Sequence, residues 1–271
     1  MPEIALKTAR LREGLALPYA EVGAPGGTPV VFVHGWADTW RSFEPLLRRL
    51  PAGLHAYALT QRGHGDADRP PDGYAPAELA EDLLAFLDTV GIGRAILVGG
   101  SSGGVQARIL AGRHPHRVAG LVLLGVPATL ADKPMAREVR ARVQELRDPV
   151  GREFAAAFSS GLTDGGVDPD FLQTMITESL KAPARVWRDT MLGLLDTDLR
   201  ATLDGISVPT LVVWGDRDDL LPRADQQVIL DAVPGARLIV HQGAGHLVYW
   251  ERPDEVTRDI AAFAALVTGP A

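Results

Sequence analysis

Ala95-Ile96-Leu97-Val98-Gly99-Gly100-Ser101-Ser102-Gly103-Gly104-Val105 is the stretch on which the fold turns. Ala95–Val98 is a short apolar run of the kind that forms a strand covered on both faces, and beyond the glycines Val105, Ile109 and Leu110 recur with helical spacing. A strand that becomes a helix within six residues turns sharply. The apex of such a turn needs very small residues two positions to either side, because the backbone is crowded there. Gly99-x-Ser101-x-Gly103 satisfies this, and so does Gly100-x-Ser102-x-Gly104. Ser101 is the better apex, since the strand ends at Val98 and the apex should follow by three residues. Its hydroxyl then lies at the start of a helix, where free N–H groups and the helix dipole favour negative charge. The competing readings are a plain glycine-rich turn or a phosphate loop, and the latter normally wants a lysine that is missing here.

The pattern repeats on both sides of this stretch. Val30–Val33, Ala56–Leu59, Leu121–Leu124, Leu211–Trp214 and Leu238–Val240 are also apolar throughout. Between them, Phe43, Leu46, Leu47 and Leu50 share a helical face, as do Leu79, Leu83, Phe86, Leu87 and Val90, and Val256, Ile260, Phe263 and Val267. Such alternation predicts an α/β fold with an open, doubly wound, mostly parallel sheet. Residues 3–22 read as an antiparallel hairpin at its edge. From Pro127 to Ile206 the rhythm breaks: helical stretches are interrupted by Pro134, Pro149, Pro169 and Pro183, with no convincing strand. Roughly 80 residues far exceed one crossover. The expected organisation is a core of residues 1–126 and 207–271 with a helical cap, 127–206, inserted between two core strands.

Composition narrows the function. With 271 residues, 46% hydrophobic and 23% charged, the chain has the balance of a globular protein, and a net charge of −7 speaks against a general nucleic-acid binder. There is no cysteine, which removes disulfides, a thiol nucleophile and thiolate metal sites; the seven histidines form no His-Glu-x-x-His pattern. No signal-peptide core and no run near the ~18 apolar residues of a membrane span is present. The expectation is a cytoplasmic protein acting on a small molecule, with no metal or organic cofactor; no motif specifies an oligomeric state.

Ligands of open α/β sheets bind beyond the carboxyl ends of the strands, so the loops after the apolar runs carry the candidates. Among the histidines, His246 lies in Gly243-Ala244-Gly245-His246 after the last run, where flanking glycines let a loop deliver an imidazole to a neighbouring strand end. His55 and His241 belong to strands, and His114 and His116 end a helix, where a basic residue complements the dipole. After Leu211–Trp214 come three carboxylates, Asp216, Asp218 and Asp219, any of which a surface turn would explain. After Val30–Val33, His34-Gly35-Trp36 is placed to bring the Trp36 N–H to one side of a reacting carbonyl, with the Ser102 N–H on the other, as a two-donor oxyanion hole. Arg62-Gly63-His64-Gly65-Asp66 reads as a structural turn beside the site.

Taken together, His34-Gly35-Trp36, Arg62-Gly63-His64-Gly65, Val98-Gly99-x-Ser101-x-Gly103-Gly104, Gly215-x-x-Asp218 and Gly245-His246 with Glu251-x-Pro253 resemble the α/β-hydrolase superfamily, in order and over essentially the whole chain. The resemblance implies an eight-stranded core with a helical lid. It selects Asp218 as the acid, supports Ser101 over Ser102, and completes a Ser101–His246–Asp218 triad. The chain departs from the family at Gly100, where many relatives carry His or another larger residue, and at Thr60-Gln61, where the family often has an aspartate two residues before the arginine. A serine nucleophile, and the absence of tyrosines from the predicted cap, separate the chain from haloalkane dehalogenases and epoxide hydrolases.

The expected chemistry is hydrolysis of a carboxylic ester or lactone through an acyl-enzyme. Trp36 and Trp40 are candidates for the mouth of the acyl pocket, with Phe154, Phe158, Trp187 and Met191 opposite. Each is equally well explained as buried core. Carbon–carbon bond hydrolysis, perhydrolysis or haloperoxidase-like chemistry, and cofactor-free dioxygenation remain open on the same fold. So does a small-molecule receptor with a vestigial triad.

Overall fold

The computed structural model describes residues 2–11, 14–130 and 132–269. Eight strands form one sheet: β1 (Ala5–Arg10), β2 (Ala16–Val22), β3 (Thr28–Val33), β4 (Leu54–Leu59), β5 (Ala95–Gly100), β6 (Val118–Leu124), β7 (Thr210–Gly215) and β8 (Arg237–His241). Their spatial order is β1-β2-β4-β3-β5-β6-β7-β8. The β1–β2 and β2–β4 pairs are antiparallel, and every other pair is parallel. The N-terminal hairpin is therefore at the edge, as its sequence predicts.

Alternation along the strands explains why the inner parallel runs are apolar throughout, whereas β8 at the far edge is only partly covered. In β3, Val31 and Val33 face one core while Val30 and Phe32 face the other, and in β5 Leu97 opposes Ile96 and Val98 in the same way. Helices cover both faces. On one side are α2 (Pro76–Thr89), α3 (Ser102–Arg113) and α8 (Arg223–Ala232); on the other are α1 (Glu44–Leu47), α9 (Val248–Glu251) and α10 (Pro253–Thr268). The helical spacing over Phe43–Leu50 resolves into a 3-10 turn, Trp40–Phe43, and the single turn of α1. Pro45 at its start and Pro51 after it bound this segment, yet Phe43, Leu46, Leu47 and Leu50 are all buried.

Between β6 and β7 the described residues contain no strand. They form α4 (Met135–Glu145), α5 (Arg152–Ser160), α6 (Pro169–Ser179) and α7 (Ala184–Asp196). The four prolines that break the sequence pattern stand at the junctions: Pro134 caps α4, Pro149 lies between α4 and α5, Pro169 opens α6 and Pro183 caps α7. One buried side chain ties both ends of this block to the core. Arg108 of α3 donates to the Pro127 carbonyl at 2.7 Å, where the chain enters the block, and to the Leu199 carbonyl and Thr202 Oγ1, both at 2.6 Å, where it leaves. Burial pulls the Arg108 pKa down to about 9. Among the described residues no helix is long and apolar enough to cross a membrane.

Candidate active site

β5 ends in a turn whose apex is Ser101, at φ 49° and ψ −125°. Positive φ in a residue with a side chain costs on the order of 1–3 kcal/mol and survives only where the surroundings enforce it. Here Ser101 N donates to the Leu124 carbonyl at 2.9 Å, and Gly104 N to the Ser101 carbonyl at 3.0 Å. A Cβ on Gly99 would lie 2.3 Å from Gly104 Cα, and one on Gly103 2.2 Å from the Val33 carbonyl oxygen. These contacts fix the register: Ser101 is the apex, while Ser102 is the buried first residue of α3. The departure at Gly100 also has a local cause. A Cβ there would meet the Tyr249 hydroxyl at 2.7 Å, so Tyr249 fills the space that a larger residue would need.

Three loops converge at this apex. Ser101 Oγ and His246 Nε2 are 3.0 Å apart, and His246 Nδ1 and Asp218 Oδ2 are 2.9 Å apart. Asp218 Oδ1 accepts the N–H groups of Leu220 at 3.0 Å and Leu221 at 2.9 Å, which leaves both carboxylate oxygens engaged. The competing carboxylates stand elsewhere: Asp216 accepts from Gly243 N, and Asp219 is exposed. The loop that carries His246 is itself held. Glu251 accepts from Gly245 N at 3.0 Å and from Asp164 N at 2.9 Å, and Leu247 N donates to the Leu162 carbonyl. Glu251 of the Glu-x-Pro motif thus ties the histidine loop to the helical block.

The remaining histidines have other partners. Gln61 N donates to His34 Nε2 at 3.0 Å, so the proton sits on Nδ1, which donates to the Gly35 carbonyl at 2.8 Å. Gln61 Nε2 also donates to the His34 carbonyl at 2.7 Å, which accounts for a glutamine at this position. Burial keeps His34 well below its ordinary pKa and brings His64, 5.1 Å away between ring centroids, to about 4. His55 pairs with Glu21, and His241 with Asp259.

Above the turn lies a cavity of about 230 Å³, with Trp36, Ser101, Ser102 and His246 on its core side. Phe154, Phe158 and Met191, three of the residues named as pocket candidates from sequence, line it from the helical block. Trp40 and Trp187, expected there too, are not on its wall. Trp40 packs into the core beneath the 3-10 turn, with the Arg41 guanidinium 4.8 Å from its ring centroid. Trp187 is fully buried behind Trp36, whose Nε1 donates to the Trp187 carbonyl at 2.9 Å. One helical turn separates residues 187 and 191 on α7, so only Met191 reaches the cavity while Trp187 supports the ring of Trp36 at 5.0 Å. Neither the Trp36 nor the Ser102 N–H has a protein acceptor among the described residues, and both residues border the cavity.

Sequence reasoning missed four polar residues of this wall, Asp38, Lys133, Arg142 and Ser159 of α5. The only signal for Asp38 was its place two residues after Trp36. It is 8% exposed, and its carboxylate accepts a hydrogen bond from Ser42 Oγ at 3.0 Å. Burial pushes its pKa up to about 7, against the opposing pull of the Ser42 bond and of His246. The helical stretch after Pro134 is expected from sequence, but none of its residues was named for this wall, to which α4 contributes Met135 and Val139.

A family model for the alpha/beta hydrolase fold matches residues 28–253. The chain belongs to the α/β hydrolase family. It is 30% identical to the AB hydrolase superfamily protein YisY of Bacillus subtilis, over 88% of this chain and 92% of that one. It is 29% identical to a non-heme chloroperoxidase of Streptomyces lividans, over 94% and 98%. Among solved structures, a thermophilic esterase from Thermogutta terrifontis superposes with a TM-score of 0.86 at 26% identity, over 97% of this chain and 99% of that one. In this α/β hydrolase the elbow, the histidine loop and the acid loop stand at the carboxyl ends of β5, β8 and β7, where open sheets of this kind bind ligands.

Proposed function

We propose that the protein is a serine hydrolase of small, largely apolar carboxylic esters or lactones, acting through an acyl-enzyme on Ser101. The observation that carries this reading is the unbroken chain Asp218–His246–Ser101 opening into an apolar cavity. His246 takes the Ser101 proton as Oγ attacks the carbonyl carbon. Asp218 fixes the imidazole and stabilises its charged form. The N–H groups of Trp36 and Ser102 receive the oxyanion, each contributing about 3 kcal/mol of barrier lowering. His246 then protonates the departing alcohol and later activates the water that releases the acid. In this reading residues 127–206 act as a lid over a core of 1–126 and 207–271. A cavity of about 230 Å³ is below the usual ~300–1,000 Å³ of ligand pockets, which favours small substrates. The esterase from Thermogutta terrifontis supports the same reaction class.

The likeness to a chloroperoxidase supports a second reading on the same intermediate. Hydrogen peroxide in place of water would attack the acyl-enzyme, giving a peracid and free Ser101. Turnover of p-nitrophenyl esters of graded chain length, on wild type, Ser101→Ala and Ser102→Ala, tests the main proposal. Continuous turnover that falls at least ~10³-fold in Ser101→Ala alone is expected. A single turnover without recycling would favour a receptor, and activity surviving in Ser101→Ala would overturn the acyl-enzyme. Peracid formed from acetate and hydrogen peroxide measures the second reading.

A further inference from the structure

Among the described residues Asp38 is the one carboxylate on the wall of the cavity, and the hydrolytic steps above do not use it. Residues 35–38 form a tight turn in which Asp38 N donates to the Gly35 carbonyl at 3.3 Å and Ala37 adopts φ 63°. A left-handed alanine is a strained choice for a turn that only had to reverse the chain. The carboxylate is then locked from behind. Trp250 Nε1 donates to Ser42 Oγ at 2.9 Å, so the Ser42 hydrogen is left to donate to Asp38 Oδ2 at 3.0 Å. Among the described residues Asp38 has no cation partner and no second donor, although it is more than nine-tenths buried. A Cβ built on Gly35 would lie 3.2 Å from Ser101 Cβ and 3.6 Å from Asp38 Oδ2, so a single small gap separates the carboxylate from the nucleophile. Asp38 Oδ1 has no donor among the described residues and is not sealed off, and the residue borders space that substrate would fill, so a substrate donor placed there has an acceptor to meet.

We infer that Asp38 is a specificity-determining residue: it accepts a hydrogen bond from a hydroxyl that the substrate carries on a carbon two or three bonds from its reacting carbonyl carbon. The preferred substrates are therefore hydroxylated small esters or lactones, an inference that rests on the hydrolase reading above. A site built around a hydrogen bond to a hydroxyl discriminates strongly against the analogue that lacks it, because the protein acceptor is then stranded. A neutral hydroxyl fits better than an ammonium, since burial already holds Asp38 toward its uncharged form and the wall around it is mainly apolar. The charged or titratable groups that bear on Asp38 are His246 and the buried Tyr249, with Lys133 and Arg142 on the same cavity wall.

The test compares p-nitrophenyl 3-hydroxybutyrate with p-nitrophenyl butyrate, and 2-hydroxyethyl butyrate with propyl butyrate, so that the hydroxyl is placed on either side of the ester. The kcat/KM ratio within each pair is read for wild type, Asp38→Asn and Asp38→Leu, which cancels any loss of folded protein. Wild type should favour the hydroxylated member of one pair by at least about tenfold. Asp38→Leu should bring that ratio to within about twofold, and Asp38→Asn, which keeps an acceptor, should retain part of the preference. The wild-type ratio should also change with pH near 7, where the carboxyl titrates, and that dependence should vanish in Asp38→Asn. A wild-type ratio near one in both pairs, or a preference that survives in Asp38→Leu, overturns the role of Asp38 while leaving Ser101-dependent hydrolysis intact. A 3-amino analogue outrunning the 3-hydroxy ester overturns the hydroxyl in favour of a cation. Absence of Ser101-dependent turnover with every ester overturns the hydrolase reading and this inference with it.

Discussion

Ser101 is held at positive φ by neighbours too close to accept any side chain, so the glycines around it act as steric requirements. Gly100 makes this testable, because its forbidden Cβ faces a side chain and not backbone. Gly100→Ala should destabilise the protein by about 1–3 kcal/mol through overpacking against Tyr249. Tyr249→Phe in the same chain, by removing the hydroxyl 2.7 Å from that Cβ, should recover part of the loss, as measured by urea unfolding. Equal instability of the single and double variants would contradict the contact. This scale was partly legible in the sequence. Ser101 and His246 announce themselves because a strained turn and a reaching loop both demand glycine. Asp38 does not, since a carboxylate in a loop has the same sequence signature whether it faces solvent or a cavity. Trp187 misled for a related reason: spacing fixes which face of a helix a residue shares, but not which neighbour covers it.

At the scale of elements, the inner parallel strands could be read because burial on both faces leaves no room for polar residues, and the helical block because its prolines stand at helix junctions; the edge strand β8 is apolar yet partly exposed at Val240. Its attachment could not be read. Arg108 looks like an ordinary helix arginine, yet it serves three acceptors at the two crossings between core and block. Arg108→Lys keeps the charge but not the planar fork, so at least one buried carbonyl loses its donor. The expected cost is about 1–3 kcal/mol in denaturant unfolding, together with a rise in KM for esters as the block loosens over the cavity. Unchanged stability and unchanged KM would show that the junction is held by other contacts.

For the molecule as a whole, buried groups pull the pH dependence of stability in opposite directions, Asp38 one way and the His34–His64 pair the other. Asp38 titrates near 7 in the folded chain, above the ~4 of an unfolded aspartate, so its contribution is fully present below about pH 4 and is lost as pH rises through 7. His64, lowered to about 4, stays neutral while the unfolded ring protonates, so its contribution is lost as pH falls from about 6.5 to 4. Asp38→Asn should therefore gain stability over wild type between pH 5 and pH 8, by up to a few kcal/mol, and should expose the acid-side loss due to His64 and to the likewise depressed His34. A difference in Tm between the two proteins that does not change with pH would contradict the burial of an ionisable Asp38. The doubly wound, mostly parallel sheet follows from the alternation of strand and helix, but its strand order and the convergence of residues 101, 218 and 246 on one cavity required the coordinates, because no local pattern encodes a distance between loops so far apart in the chain. That convergence is tested most directly by covalent titration with diethyl p-nitrophenyl phosphate, followed by peptide mass spectrometry of the intact protein's digest. One diethylphosphoryl group per chain, on Ser101 and lost in His246→Ala, is the predicted result; labelling on Ser102, or no labelling, would contradict it.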